Sequence, residues 1–287
     1  MSSHPRPQVI ETVAGMRDVI AHERDAGRTI ALVPTLGALH AGHVAHVERA
    51  AELADVCVVS IFVNPTQFGA SEDLDKYPRT MDEDLDMLGE LGVPYVFAPS
   101  VEEMYPKGPT STTISAGQIG TTFEGKSRAG HFDGVLTVVA KLLTITAPQF
   151  VTFGQKDAQQ LFLVRRMITD LNIPVRMEII ETVRDDDGLA LSSRNQFLDA
   201  SQREAATILS TALKAATSAA DSGLDAVIAA AQGALMGESR AELDYFSVVD
   251  TDTFMPVPDG FRGPATAIVA ARVGDTRLID NSSLYVG

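Results

Sequence analysis

The chain has 287 residues, 45% hydrophobic and 21% charged, with 22 Gly and 14 Pro, which is the profile of an ordinary globular protein long enough for one large domain or two modest ones. Its formal charge of −15, from 23 basic against 38 acidic residues, excludes a general nucleic-acid surface, which needs clustered Lys and Arg to displace condensed counterions. No apolar stretch is long enough to span a bilayer, Met1 to Val9 carries no signal-peptide core, and the lone Cys57 has no internal disulfide partner, so no membrane association and a cytoplasmic protein with a buried, inert thiol are expected.

Apolar strand candidates recur at Ile30–Val33, Val56–Val63, Tyr95–Ala98, Phe150–Phe153 and Val175–Ile180. Helical patterns separate them at Gly42–Leu53, Thr80–Leu91, Gly134–Ile145 and Ala158–Leu171. Continuous apolar strands alternating with helices specify an α/β fold, a doubly wound parallel sheet covered on both faces, with ligands outside the carboxyl ends of the strands. Polar loops follow three strands there, at Asn64–Phe68, Gly154–Asp157 and Thr182–Arg194. Beyond Arg194 the pattern changes to an alanine-rich helical stretch, Ser201 to Met236, and then to short strands at Leu243–Val249, Thr266–Val273 and Thr276–Ile279. This predicts a smaller α+β domain, and the boundary is placed near Val183, giving domains of residues 1–183 and 184–287.

The first of those strands runs through Pro34-Thr35-Leu36-Gly37-Ala38-Leu39-His40-Ala41-Gly42-His43 into a helix. The first N–H groups of a helix lack intrahelical partners and sit at the positive end of its dipole, so this turn is suited to a phosphate. His40 and His43, three residues apart, lie on neighbouring faces of one helical turn and can meet the same group. The plain alternative is two polar residues capping an ordinary helix. A zinc site through His46 is disfavoured, because each step of three residues on a helix turns the side chain by about −60° and fans the three rings apart.

A second phosphate signature, Gly120-Thr121-Thr122-Phe123-Glu124-Gly125-Lys126-Ser127, fits the P-loop pattern letter for letter. That mechanism needs a preceding strand and a helix beginning at the Lys-Ser pair. Here Glu124 sets a carboxylate against polyphosphate, and Gly130 and Gly134 interrupt the expected helix, so Lys126 is expected to be a solvent-facing loop cation. Nearby Arg128 and His131 are candidates for an anionic substrate pocket, or else solvated loop residues.

Several blocks occur together and in order: Val33 to His40, Ile61-Phe62-Val63-Asn64-Pro65-Thr66-Gln67-Phe68, Tyr77-Pro78-Arg79-Thr80, Gly154-Gln155-Lys156-Asp157 with Gln159-Gln160, and Asp187 to Asn195 with Leu191-Ser192-Ser193-Arg194 at its centre. In these the chain closely resembles the pantothenate synthetase family, ATP-dependent ligases of pantoate and β-alanine. The resemblance implies a Rossmann-like fold, a pantoyl adenylate intermediate, Mg2+ on the polyphosphate and a homodimer. It implies that Leu36, Gly37, Ala38, Leu39, His40, Ala41, Gly42 and His43 hold ATP, with His43 catalytic and His40 beside it on the phosphates. Gln67 and Gln160 would hold pantoate, and Gln67 would also meet β-alanine. Gly154, Gln155, Lys156 and Asp157 would meet the nucleotide, Lys156 at the phosphates and Asp157 at the ribose. The backbone of Val183 would touch adenine, and Leu191, Ser192, Ser193 and Arg194 would close over the phosphates, with Lys156 and Arg194 catalytic cations. Glu83 and Asp84 are candidate magnesium contacts, or a solvated acidic helix face.

Three departures stand out. Leu36 and Thr66 stand where the resembled family usually has Met, and Gln155 where Glu is common. The first conserves volume. Thr66 bears on pantoate affinity, and Gln155 removes one charge near ATP. Two other readings are another adenylyl-transfer enzyme, such as a class I aminoacyl-tRNA synthetase, and a non-catalytic ATP-binding sensor. The acidic balance disfavours tRNA.

Overall fold

The computed structural model describes residues 5–69, 74, 77–108 and 110–287. They form two compact units, the first of residues 1–154 and 160–180, the second of residues 155–159 and 181–287.

The first unit is built on six parallel strands: β1 (Gln8–Ile10), β2 (Ile30–Thr35), β3 (Val56–Ile61), β4 (Tyr95–Phe97), β5 (Phe150–Gly154) and β6 (Arg176–Ile180), in the order β1-β4-β3-β2-β5-β6. Strand side chains alternate between faces, and both faces are buried. Ile30, Leu32, Val56 and Val58 join one core with Met16 and Ile20 of α1 (Val13–Asp25) and Phe132 to Leu143 of α6 (His131–Thr146). Ala31, Val33, Cys57 and Val59 join another with Val47 and Ala50 of α2 (Ala41–Leu53) and Leu85 and Leu88 of α3 (Met81–Glu90). That double coverage is why the strands read as uninterrupted apolar runs. The connection leaving β2 runs to β3 on one side and the connection leaving its neighbour β5 runs to β6 on the other, so the sheet has its switch point between the carboxyl ends of β2 and β5.

The predicted strands and helices of this sheet are all present, with no end shifted by more than three residues. β1 and α1 precede the first predicted strand and were not among the expected elements. β1 is a three-residue edge strand with one buried residue. α1 is capped by the Thr12 side chain, and its last turn carries the buried Glu23, which is held by Arg28 and Tyr95. Two short helices, α4 (Val101–Met104) and α5 (Glu124–Ser127), lie on the connection from β4 to α6.

In the second unit the expected alanine-rich helix is three: α8 (Ala200–Ala206), α9 (Ile208–Ser218) and α10 (Leu224–Leu235), the last two separated by Gly223 at φ 91°. Their alanines, among them Ala205, Ala212, Ala216 and Ala231, share a core with Ala265, Ala267, Val269 and Ala271 of an antiparallel sheet. That sheet is β7 (Ala241–Asp250), β8 (Gly263–Val273) and β9 (Thr276–Val286). β9 continues seven residues past the predicted Ile279, and the polar run Asp280-Asn281-Ser282-Ser283 is what concealed it. Asp280 and Asn281 are each 4% exposed and have specific partners, described below. Among the described residues no helix is long and apolar enough to cross a membrane.

Candidate active site

The turn after β2 is the central feature of the first unit's ligand edge. Gly37 (φ 84°) and Ala38 (φ 53°) both adopt the left-handed region, which costs a residue with a Cβ on the order of 1 kcal/mol and more. Asp84 of α3 offsets that cost. It is 2% exposed, and its two carboxylate oxygens accept the Ala38 N–H at 3.0 Å and the Leu39 N–H at 2.8 Å, while the Thr80 hydroxyl donates to it at 3.2 Å. Gly37 lies against it: a Cβ there would stand 3.2 Å from the same carboxylate.

His40 lies just ahead of the helix as its N-cap, with extended backbone (φ −147°, ψ 177°), so the two histidines do cap α2 as in the plain alternative. The two histidines cap each other. His40 Nδ1 accepts the Gly42 N–H at 3.1 Å, and His43 Nδ1 accepts the His40 N–H at 3.2 Å. A backbone N–H can only donate, so both Nδ1 atoms are acceptors and in each ring the proton sits on Nε2. The rings lie 4.2 Å apart, centroid to centroid. His46, one turn further along α2, bonds the Thr152 hydroxyl of β5 at 2.9 Å.

A second cluster surrounds the loop after β3. Asn64 is fully buried and Gln67 is 8% exposed. Asn64 Nδ2 donates to Gln67 Oε1 and to the Gly134 carbonyl, each at 3.2 Å, and Asn64 Oδ1 accepts the Tyr105 hydroxyl at 2.7 Å and the Thr66 hydroxyl at 3.0 Å. Burial pushes the Tyr105 phenol upward, which keeps it protonated as a donor. The Gln67 carbonyl is 2.7 Å from His131 Nδ1, and Arg128 lies 2.9 Å from His131 Nε2. Since a guanidinium only donates, Nε2 accepts and Nδ1 donates to Gln67. His131, 6% exposed, therefore props the Gln67 backbone and is no solvated loop residue, and Arg128, half-buried, is paired with it. Gln160, half-buried, stands on α7 (Ala158–Asp170).

The P-loop lookalike has no strand leading into it. Ile119–Thr121 is a short 3-10 turn, Phe123 has φ 46°, α5 is a single helical turn, and Lys126 is exposed. Glu83 is exposed on α3, and among the described residues no three His, Cys, Asp or Glu side chains are grouped to hold a metal.

In the second unit, Asn281 of β9 donates to the carbonyls of Gln155 and Lys156 at 2.9 and 2.8 Å, and the Gln155 amide donates to the Ser283 hydroxyl at 3.0 Å. This fixes the backbone that carries Lys156 and Asp157. The segment from Val183 to Leu191 doubles back on itself, with the Leu191 N–H donating to the Val183 carbonyl at 2.9 Å. Arg184 anchors it through a two-pronged pair with Asp280 at 2.6 and 2.9 Å. Ser192 caps the 3-10 turn Ser193–Phe197 by accepting the Arg194 N–H, and leaves the Arg194 side chain exposed.

A doubly wound parallel sheet with a histidine-capped helix N-terminus at its switch point defines a class, the α/β proteins that receive an anionic ligand at the carboxyl edge. Within that class the chain belongs to the pantoate–β-alanine ligase family, whose model, described as Pantoate-beta-alanine ligase, matches residues 8–283. The pantothenate synthetase of Leifsonia xyli subsp. xyli is 53% identical over 264 residues, covering 92% of this chain and 91% of that protein. That of Nocardia farcinica is 50% identical over 287 residues, covering 100% and 87%. Among solved structures, the pantothenate synthetase of Thermus thermophilus is 43% identical with a TM-score of 0.89, covering 96% of this chain and 98% of that one. A Francisella tularensis pantoate–β-alanine ligase, complexed with beta-gamma ATP and β-alanine, is 32% identical with a TM-score of 0.78, covering 96% and 97%. The chain is thus a ligase that joins pantoate to β-alanine through an amide bond.

Proposed function

We propose that the amide forms in two steps, with ATP as co-substrate. A pantoate carboxylate oxygen attacks the α-phosphorus of ATP; the new P–O bond forms as the bond to pyrophosphate breaks, giving pantoyl adenylate. The amine of β-alanine then attacks the acyl carbon, the bond to AMP breaks, and the amine proton passes to solvent. Pantoate supplies the first nucleophile, so the protein's task is to place donors where negative charge develops.

The observation that carries this reading is the reciprocal histidine cap. With each Nδ1 committed to a backbone N–H, His40 and His43 have Nε2–H as donors to phosphate oxygens beside the positive end of α2. The segment Leu36 to His43 receives the polyphosphate; Gly154, Gln155, Lys156 and Asp157 meet the nucleotide, Lys156 at the phosphates and Asp157 at the ribose; the Val183 backbone meets adenine; Leu191, Ser192, Ser193 and Arg194 add donors to the phosphates. Gln67 and Gln160 hold pantoate, with Gln67 also near β-alanine. The ATP carried by the Francisella relative supports the choice of nucleotide. Magnesium is placed on the polyphosphate; the Asp84 carboxylate is engaged by the Ala38 and Leu39 N–H groups, and Glu83 is exposed on α3. A cytoplasmic homodimer completes the proposal.

Labelled pyrophosphate should exchange into ATP when pantoate is present and β-alanine is absent. Exchange that needs β-alanine, or that proceeds without pantoate, overturns the two-step scheme. Removing one preorganised donor typically costs about 10²–10³ in turnover, so His43→Ala and Lys156→Ala should each lose exchange on that scale with the circular-dichroism spectrum unchanged.

A further inference from the structure

The contacts behind Gln67 settle which end of its amide a ligand meets. Asn64 Nδ2 lies 3.2 Å from the Gly134 carbonyl, an atom that can only accept, so the Asn64 nitrogen is identified by its surroundings. Its oxygen is identified independently, because the hydroxyls of Tyr105 and Thr66 converge on it at 2.7 and 3.0 Å. With Nδ2 a donor, the Gln67 atom 3.2 Å from it must be the acceptor Oε1, which leaves the Gln67 NH2 as the group offered to a ligand.

We propose that Tyr105 and Thr66 are positioning residues that lock the Asn64 amide, and through it the Gln67 amide, so that Gln67 presents N–H donors to an oxygen acceptor of the hydroxy-acid substrate. The proposal rests on the reading of Gln67 as a pantoate contact. Without these hydroxyls only the Gly134 carbonyl and the Thr66 N–H, 3.4 Å from Oδ1, would hold the Asn64 orientation, and a reversed Gln67 would turn an oxygen toward a carboxylate. The Thr66 hydroxyl gives Asn64 Oδ1 a second donor beside the Tyr105 phenol. Tyr105, 5% exposed, also packs its ring beside Phe62 at 6.3 Å and under the Lys141 ammonium at 5.5 Å, contacts that phenylalanine retains.

The test is steady-state kinetics on Tyr105→Phe, Thr66→Val and Thr66→Ser, with Gln67→Ala as reference, varying pantoate and ATP separately. One lost hydrogen bond corresponds to roughly a twofold to tenfold effect, so Tyr105→Phe should raise the pantoate KM about fivefold or more and Thr66→Val about twofold or more, with the ATP KM unmoved. Thr66→Ser, which restores the hydroxyl, should return the pantoate KM to its starting value. If Tyr105→Phe does not fold, the Thr66→Val and Thr66→Ser pair, at an exposed residue, decides alone. Unmoved pantoate KM values, or equal rises for pantoate and ATP, overturn the relay while Gln67→Ala still raises the pantoate KM. An unmoved pantoate KM in Gln67→Ala removes the reading of Gln67 and the relay with it.

Discussion

Asp84 reaches the turn after β2 from 45 residues away in sequence and holds two consecutive N–H groups of a left-handed bend. Asp84→Asn keeps one acceptor oxygen but sets an NH2 against an N–H. A buried donor left unmatched costs about 1–3 kcal/mol, which in a unit of this size lowers Tm by several degrees. The ATP KM should rise with the Tm loss, and the Mg2+ concentration giving half-maximal activity should stay where it was. A large shift in that Mg2+ requirement would instead make Asp84 a metal contact. At this scale the sequence marked His40 and His43 as a pair at the start of a helix, and the structure has both rings capping α2, because helix N-termini have a local signature. It could not yield Asp84, Asn64 or Tyr105 as their supports, since nothing in a sequence marks which distant side chain closes a buried hydrogen bond. Cys57 was legible: it is 6% exposed on β3, and burial pushes its thiol up to about 12, leaving it unreactive at neutral pH.

Elements were legible where burial is two-sided and regular, as in β2 and β3, and illegible where polar residues are buried for specific partners. β9 shows this most clearly, since Asp280 and Asn281 read as a strand end until Arg184 and the Gln155 and Lys156 carbonyls are seen beside them. The amphipathic spacing of Val13, Met16 and Ile20 behind Thr12 was the available signal for α1. In α6, Gly134 is a further case of context overriding propensity. Replacing a helix-interior glycine with alanine normally stabilises by about 1 kcal/mol. Here a Cβ would stand 2.3 Å from the Thr66 carbonyl, and overpacking of that kind costs typically 1–3 kcal/mol. Gly134→Ala should therefore lower Tm, and because the displaced backbone is Thr66–Gln67, the pantoate KM should rise as well. An increase in Tm would show that α6 does not bear on that loop.

Across the whole molecule, the charge of −15 sets a field that repels every anionic substrate, leaving attraction to a few local cations. Raising monovalent salt from about 10 to 100 mM shortens the screening length from about 30 to about 10 Å, which weakens the distant repulsion more than contacts inside a site. The kcat/KM for ATP, measured at fixed free Mg2+, should rise over that range, by less than about tenfold. A steep fall would place the local cations in control of association.

The path of the backbone has one more consequence. After β5 the chain leaves the first unit for five residues, Gln155 to Gln159, and returns at Gln160. No single scission can therefore part the two units, and a fragment ending at residue 180 would carry Lys156 away from the Asn281 amide that grips its carbonyl. The chain is stitched: genetically it is one reading frame with an apparent joint near residue 180, yet a gene split at that joint would leave residues 155–159 of the second unit on the first fragment.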